Sequence, residues 1–214
     1  MDAARCLAAC LAAACCALQP AGAHAAEEEW RLQLDARAAT DLSEDTELVL
    51  QASQRFRPGD DQVLLRASVD HDIGAGFAIG TGLAYVFSAG REEFRPHQQV
   101  SYTRDGFSVR VRLEERVFSG ENRMAMRLRA RLGYATGLGK SWSLRGSGEW
   151  FYTARQADLA VRPRTDQWRG RLDLRKGMSD RLAIEAGYQL SVSPRGPDKD
   201  RVAHVPRLTL RAGF

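Results

Sequence analysis

Apolar and polar residues alternate almost without exception from Phe107 to Tyr134. The first half places an apolar side chain at every second position from Phe107 to Leu113, and the second half does so from Met124 to Tyr134. A polar segment, Ser119–Asn122, separates the halves. Because successive side chains of a β-strand point to opposite faces, the pattern predicts a β-hairpin with one apolar and one charged face.

Arginine dominates the charged face of this hairpin. Six arginines share it: Arg110, Arg112, Arg116, Arg127, Arg129 and Arg131. If that face met lipid, each arginine near the middle of the bilayer would cost about 2 to 4 kcal/mol. Two interpretations satisfy this constraint. One is a membrane barrel with its apolar face outward, and the other is a soluble sheet with its apolar face packed inward.

The same alternation recurs along the chain after residue 29. Nine further segments show it: residues 30–38, 48–56, 63–70, 77–87, 98–103, 142–153, 168–175, 182–192 and 205–214. The pattern therefore gives eleven strands and no helix, and we expect an all-β, antiparallel transmembrane β-barrel of ten to twelve strands. A barrel with both termini in the periplasm needs an even number. That favours ten or twelve, either because the Trp30 strand is not a full member or because residues 154–166 contain another strand.

Short turns and longer connections alternate between these strands. Four similar eight-residue windows begin at Asp41, Asp72, Gly137 and Gly177, and Arg104–Gly106 is a fifth, shorter turn. The connections between them, at residues 88–95, 154–166 and 193–203, are longer and more polar. In outer-membrane barrels the short turns lie in the periplasm and the longer loops are extracellular. We expect that arrangement here.

Residues 1–25 have the features of a secretory signal peptide. Arg5 supplies a positive charge, Cys6–Leu18 is an apolar segment too short to span a bilayer, and Ala23 and Ala25 form a small-x-small cleavage site. The chain is thus predicted to consist of a removed signal, residues 1–25, and a single barrel domain, residues 26–214.

All four cysteines of the chain lie in the predicted signal, between Cys6 and Cys16. The exported domain is therefore expected to have no disulfide and no cysteine-ligated metal. The segment Leu7–Cys10 is similar to a lipobox, so lipidation of Cys10 is an alternative to conventional cleavage.

Aromatic residues predict two girdles at the ends of the strands. They are Trp30, Phe77, Phe87, Phe107, Tyr134, Trp142, Tyr152, Trp168 and Phe214. The last strand ends the chain on Phe214, which resembles the assembly signal of bacterial outer-membrane proteins. This resemblance implies a bacterial outer-membrane location after export through the inner membrane. It also implies outer-membrane lipid, the barrel-assembly machinery and periplasmic chaperones as partners.

An ordered series of short motifs resembles one bacterial protein family. The motifs are Arg112–Arg116, Arg127–Arg129, Glu149–Phe151, Asp166–Arg169 and Glu185–Tyr188, followed by His204. Together they resemble the family catalogued as domain of unknown function 2490. The resemblance implies an outer-membrane β-barrel of Gram-negative bacteria and carries no established activity.

The charged faces of the strands are predicted to line the lumen of the barrel. The residues expected there are Arg110, Arg112, Glu114, Arg116, Arg127, Arg129, Arg131, Glu149, Arg169, Glu185 and His204. The first interpretation is a structural or binding barrel with a packed, arginine-rich lumen. A narrow anion-favouring channel is the alternative, because rings of arginine select anions. A lipid-modifying enzyme of the outer membrane is the second alternative.

Nothing in the sequence predicts catalytic residues, a metal or a cofactor. The histidines of the exported domain, His71, His97 and His204, are isolated from one another. A lipid hydrolase would need a serine near one of them, and the candidate arrangements are His97 with Ser101 and His204 beside Glu185. The net charge is +4, and the basic residues alternate along strands, so nucleic-acid binding is not expected.

Overall fold

The computed structural model describes residues 26–157, 162–196 and 198–214, and these residues form an all-β structure. Its strands are β1 Glu27–Trp30, β2 Leu32–Ser43, β3 Thr46–Phe56, β4 Gln62–Gly74, β5 Phe77–Ser88, β6 Arg91–Arg104, β7 Phe107–Phe118, β8 Ala125–Gly139, β9 Trp142–Arg155, β10 Arg164–Gly177, β11 Leu182–Ser193 and β12 Arg201–Gly213. Within the described ranges, no helix is long and apolar enough to cross a membrane. The predicted cleavage site at Ala23 and Ala25, and Cys10, lie outside the described residues.

The strands form one closed sheet. From β2 to β12 each strand pairs with the next in an antiparallel manner, and β12 also pairs with β2 in parallel. β1 continues this parallel pairing in the same register, from Glu27 opposite Arg201 to Trp30 opposite His204. β1 and β2 are therefore one strand interrupted at Arg31, and the barrel has eleven strands.

The count of eleven strands from the alternation is confirmed, and the expectation of an even number is wrong. That expectation placed both ends of the barrel on one side. The parallel pairing of β2 with β12 removes this condition, because the first and last strands then run in the same direction. The chain consequently enters the barrel at Glu27, beside Arg201, and Phe214 ends it at the opposite end. The described part of residues 154–166 holds only the ends of β9 and β10 and no additional strand.

Five short turns lie at the Phe214 end of the barrel, as predicted. They comprise residues 44–45, 75–76, 105–106, 140–141 and 178–181. Asp105 and Gly106 form a two-residue turn in which φ is 50° and 83°, as a type I′ hairpin requires. The other end carries the connections 57–61, 89–90, 119–124, 156–163 and 194–200 and is called the loop end below. The long connection predicted at 88–95 is wrong, because β5 and β6 extend through it and leave only two residues.

The apolar face of the barrel points outward. On β2, Leu32 and Leu34 are exposed, whereas Gln33 and Asp35 are buried. Large apolar side chains are exposed on every strand from β2 to β12, and buried polar side chains lie on the other face of each of these strands except β5. A soluble sheet would bury those side chains. The soluble alternative is therefore wrong.

Aromatic side chains cluster on the outer face near both ends of the barrel. Phe107 packs against Tyr134 at the short-turn end, with ring centroids 5.2 Å apart. Near the loop end, the ring centroids of Trp150 and Trp168 are 6.0 Å apart. These positions agree with the two predicted girdles, in which amphipathic rings mark the edges of an apolar belt.

Small residues form the inner face of β5 because side chains of neighbouring strands occupy the space before them. A Cβ atom at Gly82 would approach the Ala67 carbonyl oxygen to 2.5 Å and His97 Cε1 to 2.6 Å. At Gly80, it would overlap with Asp70 Oδ1. Glycine is required here for close approach, which leaves the lumen to the side chains of the other strands.

Candidate functional site

The inward-facing side chains enclose a cavity of about 290 Å³, called the inner cavity below. Among the described residues, thirteen arginines and three carboxylates line it. The arginines are Arg37, Arg55, Arg66, Arg95, Arg110, Arg127, Arg129, Arg131, Arg145, Arg169, Arg171, Arg207 and Arg211, and the carboxylates are Asp35, Asp173 and Glu185. The wall of this cavity is therefore strongly positive.

Two buried carboxylates organise the arginines of β7, β8 and β9. Glu114 accepts hydrogen bonds from Arg127 Nη2 at 2.6 Å and from Arg129 Nη1 at 2.5 Å. Glu149 accepts from Arg129 Nη2 at 2.7 Å and from Arg110 Nη2 at 3.1 Å. Arg129 thus bridges both carboxylates. Charge-assisted bonds of this kind fix the guanidinium planes and tie three neighbouring strands together.

Replacing Glu114 with glutamine is expected to destabilise the barrel by about 3 to 5 kcal/mol, because it removes the negative charge that compensates Arg112, Arg127 and Arg129. Urea titration of the folded protein in detergent micelles, followed by gel mobility without boiling, would measure the loss. Glu115→Gln is the matched control. Glu115 is the next residue on the strand, faces outward and makes no ion pair with the described residues. Equal midpoints for the two variants would contradict the expected role of Glu114.

Further carboxylates pair with arginines near the two ends of the lumen. Towards the loop end, Glu93 accepts from Arg95 Nη2 at 2.6 Å and from Arg116 Nε at 2.5 Å. Towards the short-turn end, Arg211 Nε donates to Glu185 at 2.5 Å. These pairs neutralise part of the positive charge and hold the side chains against the wall.

Six arginines of the inner cavity have no carboxylate within 4.0 Å among the described residues. They are Arg37, Arg55, Arg66, Arg131, Arg145 and Arg171. The hydrogen-bond partners of four of them are neutral, as in Arg131 to Ser147 at 3.2 Å and Arg171 to Gln189 at 2.8 Å. Three come from β2, β3 and β4 and three from β8, β9 and β10, which lie on opposite sides of the ring of strands. Uncompensated positive charge therefore faces the lumen from both sides.

A second polar cavity of about 560 Å³ opens at the loop end and is called the vestibule below. Its lining includes Arg91, Arg116, Phe118 and Arg164. The guanidinium carbons of Arg91 and Arg116 lie 3.9 and 4.8 Å from the centroid of the Phe118 ring. Such cation–π contacts hold the two arginines in fixed positions at the mouth of the barrel.

Ten of the eleven residues predicted for the lumen point inward. Six line the inner cavity: Arg110, Arg127, Arg129, Arg131, Arg169 and Glu185. Glu149 is buried beside them and accepts a hydrogen bond from Arg129. Arg112 is buried behind the cavity, where it donates to Gln99 at 2.6 Å, and Glu114 is buried beside it. Arg116 lines the vestibule.

The prediction that His204 lines the lumen is wrong. Its ring stacks on Trp30 on the outer face at a centroid distance of 4.9 Å, and Nδ1 hydrogen-bonds the Tyr188 hydroxyl group. β12 runs without a bulge from Arg201 to Gly213, so the inward position of Arg207 places His204 on the opposite face.

Neither residue pair considered for hydrolysis comes together. His97 and Ser101 lie four positions apart on the inner face of β6, about 13 Å along an extended strand. His204 and Glu185 lie on opposite faces of the barrel wall. The described residues also contain no group of three or more His, Cys, Asp or Glu side chains that could hold a metal ion.

Two sets of lumen residues were not predicted from the sequence. Arg37, Arg55 and Arg66 line the inner cavity but were not predicted there, although each has inward parity on its strand. Phe118 and Phe151 are apolar residues that point inward. Their parity with Arg116 and Glu149 was the available signal, and it was obscured because an apolar residue suggests the lipid face.

The family of proteins of unknown function DUF2490 matches residues 28–202. The chain belongs to this family. No curated protein matches its sequence. Among solved structures, the translocator domain of the autotransporter NalP from Neisseria meningitidis is similar, with a TM-score of 0.52 and 14% identity over 82% of this chain and 77% of that chain.

Two porin structures are similar to this DUF2490 chain as well. The NanC porin has a TM-score of 0.51 and 8% identity over 75% of this chain and 85% of the porin. The KdgM porin in complex with disordered oligogalacturonate has a TM-score of 0.50 and 12% identity over 76% and 88%. At these identities the likeness shows the fold alone, which is the closed β-barrel of outer-membrane porins and translocators. The predicted family and fold class are confirmed.

Proposed function

We propose that this DUF2490 protein is a narrow, anion-favouring channel of the bacterial outer membrane. The observation that carries the proposal is the set of six lumen arginines without a carboxylate partner among the described residues, which face the inner cavity from opposite walls. A packed structural lumen would be expected to compensate most of its buried charges. Here the charge is left available to a solute.

The size of the electrostatic effect supports this proposal. A unit charge at about 5 Å from an ion contributes about 0.8 kcal/mol even in water, and more in a lumen of lower dielectric constant. Several arginines acting together therefore favour chloride or a carboxylate over a cation by at least an order of magnitude. The apolar outer face and its aromatic edges support insertion in a bilayer, and outer-membrane lipid is the proposed surrounding.

The solute class proposed here is small and anionic. The KdgM structure contains oligogalacturonate, a chain of carboxylated sugars, and that ligand belongs to that porin. For the present chain, this comparison supports only the anionic character of the proposed solute. The inner cavity of about 290 Å³ suits ions and small carboxylates better than an extended saccharide.

Purified protein in a planar bilayer is expected to conduct. In a potassium chloride gradient, its reversal potential is expected to be shifted towards the equilibrium potential of chloride. Folding is checked beforehand by heat-modifiable gel mobility. The absence of conductance from folded protein, or a reversal potential shifted towards the equilibrium potential of potassium, would reject the proposed channel.

A structural role is the second candidate, and the network around Glu114 and Glu149 favours it for one wall of the barrel. Those ion pairs bind β7, β8 and β9 together whether or not a solute passes. The separation of His97 from Ser101, and of His204 from Glu185, gives no support to a lipid-modifying enzyme. Assembly by the outer-membrane machinery through Phe214 stays a prediction.

A further inference from the structure

The vestibule and the inner cavity meet at a small number of side chains. Only three of the described residues line both cavities, namely Arg127, Phe151 and Gln167. The vestibule otherwise uses residues at the loop end, and the inner cavity uses residues from there towards the short turns. A solute that moves directly from one cavity to the other passes these three side chains.

Phe151 is an apolar residue among charged ones. Only 3% of its surface is exposed although it points into the lumen. Three guanidinium groups surround its ring, with centroid distances of 4.5 Å for Arg169, 4.6 Å for Arg129 and 5.5 Å for Arg127. The ring is too enclosed to serve as a stacking surface for a ligand. It fills space between arginines and holds them apart.

The other two residues are fixed by hydrogen bonds. Arg127 donates from Nε at 3.1 Å and from Nη2 at 2.6 Å to one oxygen of Glu114. The side-chain oxygen Oε1 of Gln167 accepts a hydrogen bond from Arg169 Nη2 at 2.7 Å, and its side-chain nitrogen Nε2 donates to Ser193 Oγ at 3.3 Å. These hydrogen bonds fix the polar ends of the Arg127 and Gln167 side chains, so the side chains do not swing aside. The junction between the cavities is therefore a fixed restriction.

We propose that Arg127, Phe151 and Gln167 form the constriction that sets the largest anion the channel admits. This inference rests on the proposed function and names its limiting site. Arg127 lines both cavities and presents positive charge to an anion on either side. Gln167 offers an amide to a partly dehydrated ion, and Phe151 supplies bulk without charge. The class of solute is a small monovalent anion, such as a halide or a short carboxylate, with larger sugar acids excluded.

The test compares Phe151→Ala with Phe118→Ala. Both residues are buried, inward-facing phenylalanines in contact with arginines, but Phe118 lines only the vestibule. We expect Phe151→Ala to raise the single-channel conductance in potassium chloride about twofold or more, and to raise the permeability of gluconate relative to chloride. Anion preference is expected to persist, because the ring carries no charge. Phe118→Ala is expected to resemble wild type in both measurements.

Folding of each variant is checked by heat-modifiable mobility, and Phe151→Leu replaces the alanine variant if that one does not fold. Unchanged conductance and gluconate exclusion in a folded Phe151 variant would overturn the inference, and so would an equal rise in Phe118→Ala. A wild-type channel without anion preference rejects the proposed function instead, and leaves the constriction to be judged by conductance alone. If wild type does not conduct and Phe151→Ala does, the constriction is supported and the open channel is rejected. If neither wild type nor Phe151→Ala conducts, both the proposed channel and the proposed constriction are rejected.

Discussion

A single cysteine at Glu28 is expected to react with a bulky, membrane-impermeant maleimide on intact cells, whereas a cysteine at Lys140 is expected to react only after the envelope is opened. The reason is the parallel closure of the barrel. β1 begins beside the start of β12, so the chain enters at the loop end, and Lys140 lies in a short turn at the other end. With the loops extracellular, the two positions lie on opposite sides of the membrane. The expected difference is all or none.

The labelling experiment has internal controls. All four natural cysteines lie at positions 6 to 16, within the predicted signal peptide, so a protein cleaved after Ala25 as predicted offers no background thiol. A cysteine at Gly120, in a loop-end connection, should react like the one at Glu28, and a cysteine at Asp105 should behave like the one at Lys140. If Glu28 reacted together with Lys140 and Asp105, the barrel would close with an even number of strands and the parallel pairing would be incorrect.

Local alternation was sufficient to predict the eleven strands, apart from the first half of β6, and the faces of most of their residues. On β7 and β8, arginines and apolar residues occupy alternate positions, so only one orientation of each strand keeps the arginines away from lipid. That orientation determined the inner face of both strands. The turns followed from local chemistry in the same way, as at Asp105–Gly106. The closure could not be predicted. The pairing of Gln33 with Arg207 joins residues far apart in sequence, and nothing in either strand alone distinguishes a parallel from an antiparallel neighbour.

The composition of the lumen could be predicted, but its pairing could not. Parity places Arg129 and Arg131 on the inner face alike, two positions apart on one strand. The register places Glu149 opposite Arg131 and Glu114 opposite Arg127, yet Arg129 reaches both carboxylates diagonally and Arg131 donates to a serine hydroxyl group. Whether an arginine is compensated therefore depends on side-chain contacts between strands that parity alone does not show. The same dependence hid the constriction, because Phe151 and Gln167 become partners only through the register of β9 with β10.

Replacing Arg66, Arg131 and Arg145 together with glutamine is expected to remove most of the anion preference of the channel. None of the three has a carboxylate partner among the described residues, so the change leaves no acid unpaired and should spare the fold. Each lost charge is worth about 0.8 kcal/mol to an anion at about 5 Å in water. Three such losses, reduced by salt screening, correspond to roughly a tenfold fall in the chloride-to-potassium permeability ratio.

The matched control for this triple variant replaces the same three arginines with lysine. Lysine keeps the charge but cannot reproduce the planar hydrogen bonds of arginine. If charge alone selects the ion, the lysine variant should keep the wild-type reversal potential while the glutamine variant shifts towards zero. A shift of equal size in both variants would mean that guanidinium geometry, and not the uncompensated charge of the lumen, determines selectivity. No shift in either would show that these arginines lie away from the path of the ion, and the anion preference would then have to come from other lumen arginines, such as Arg127 at the constriction.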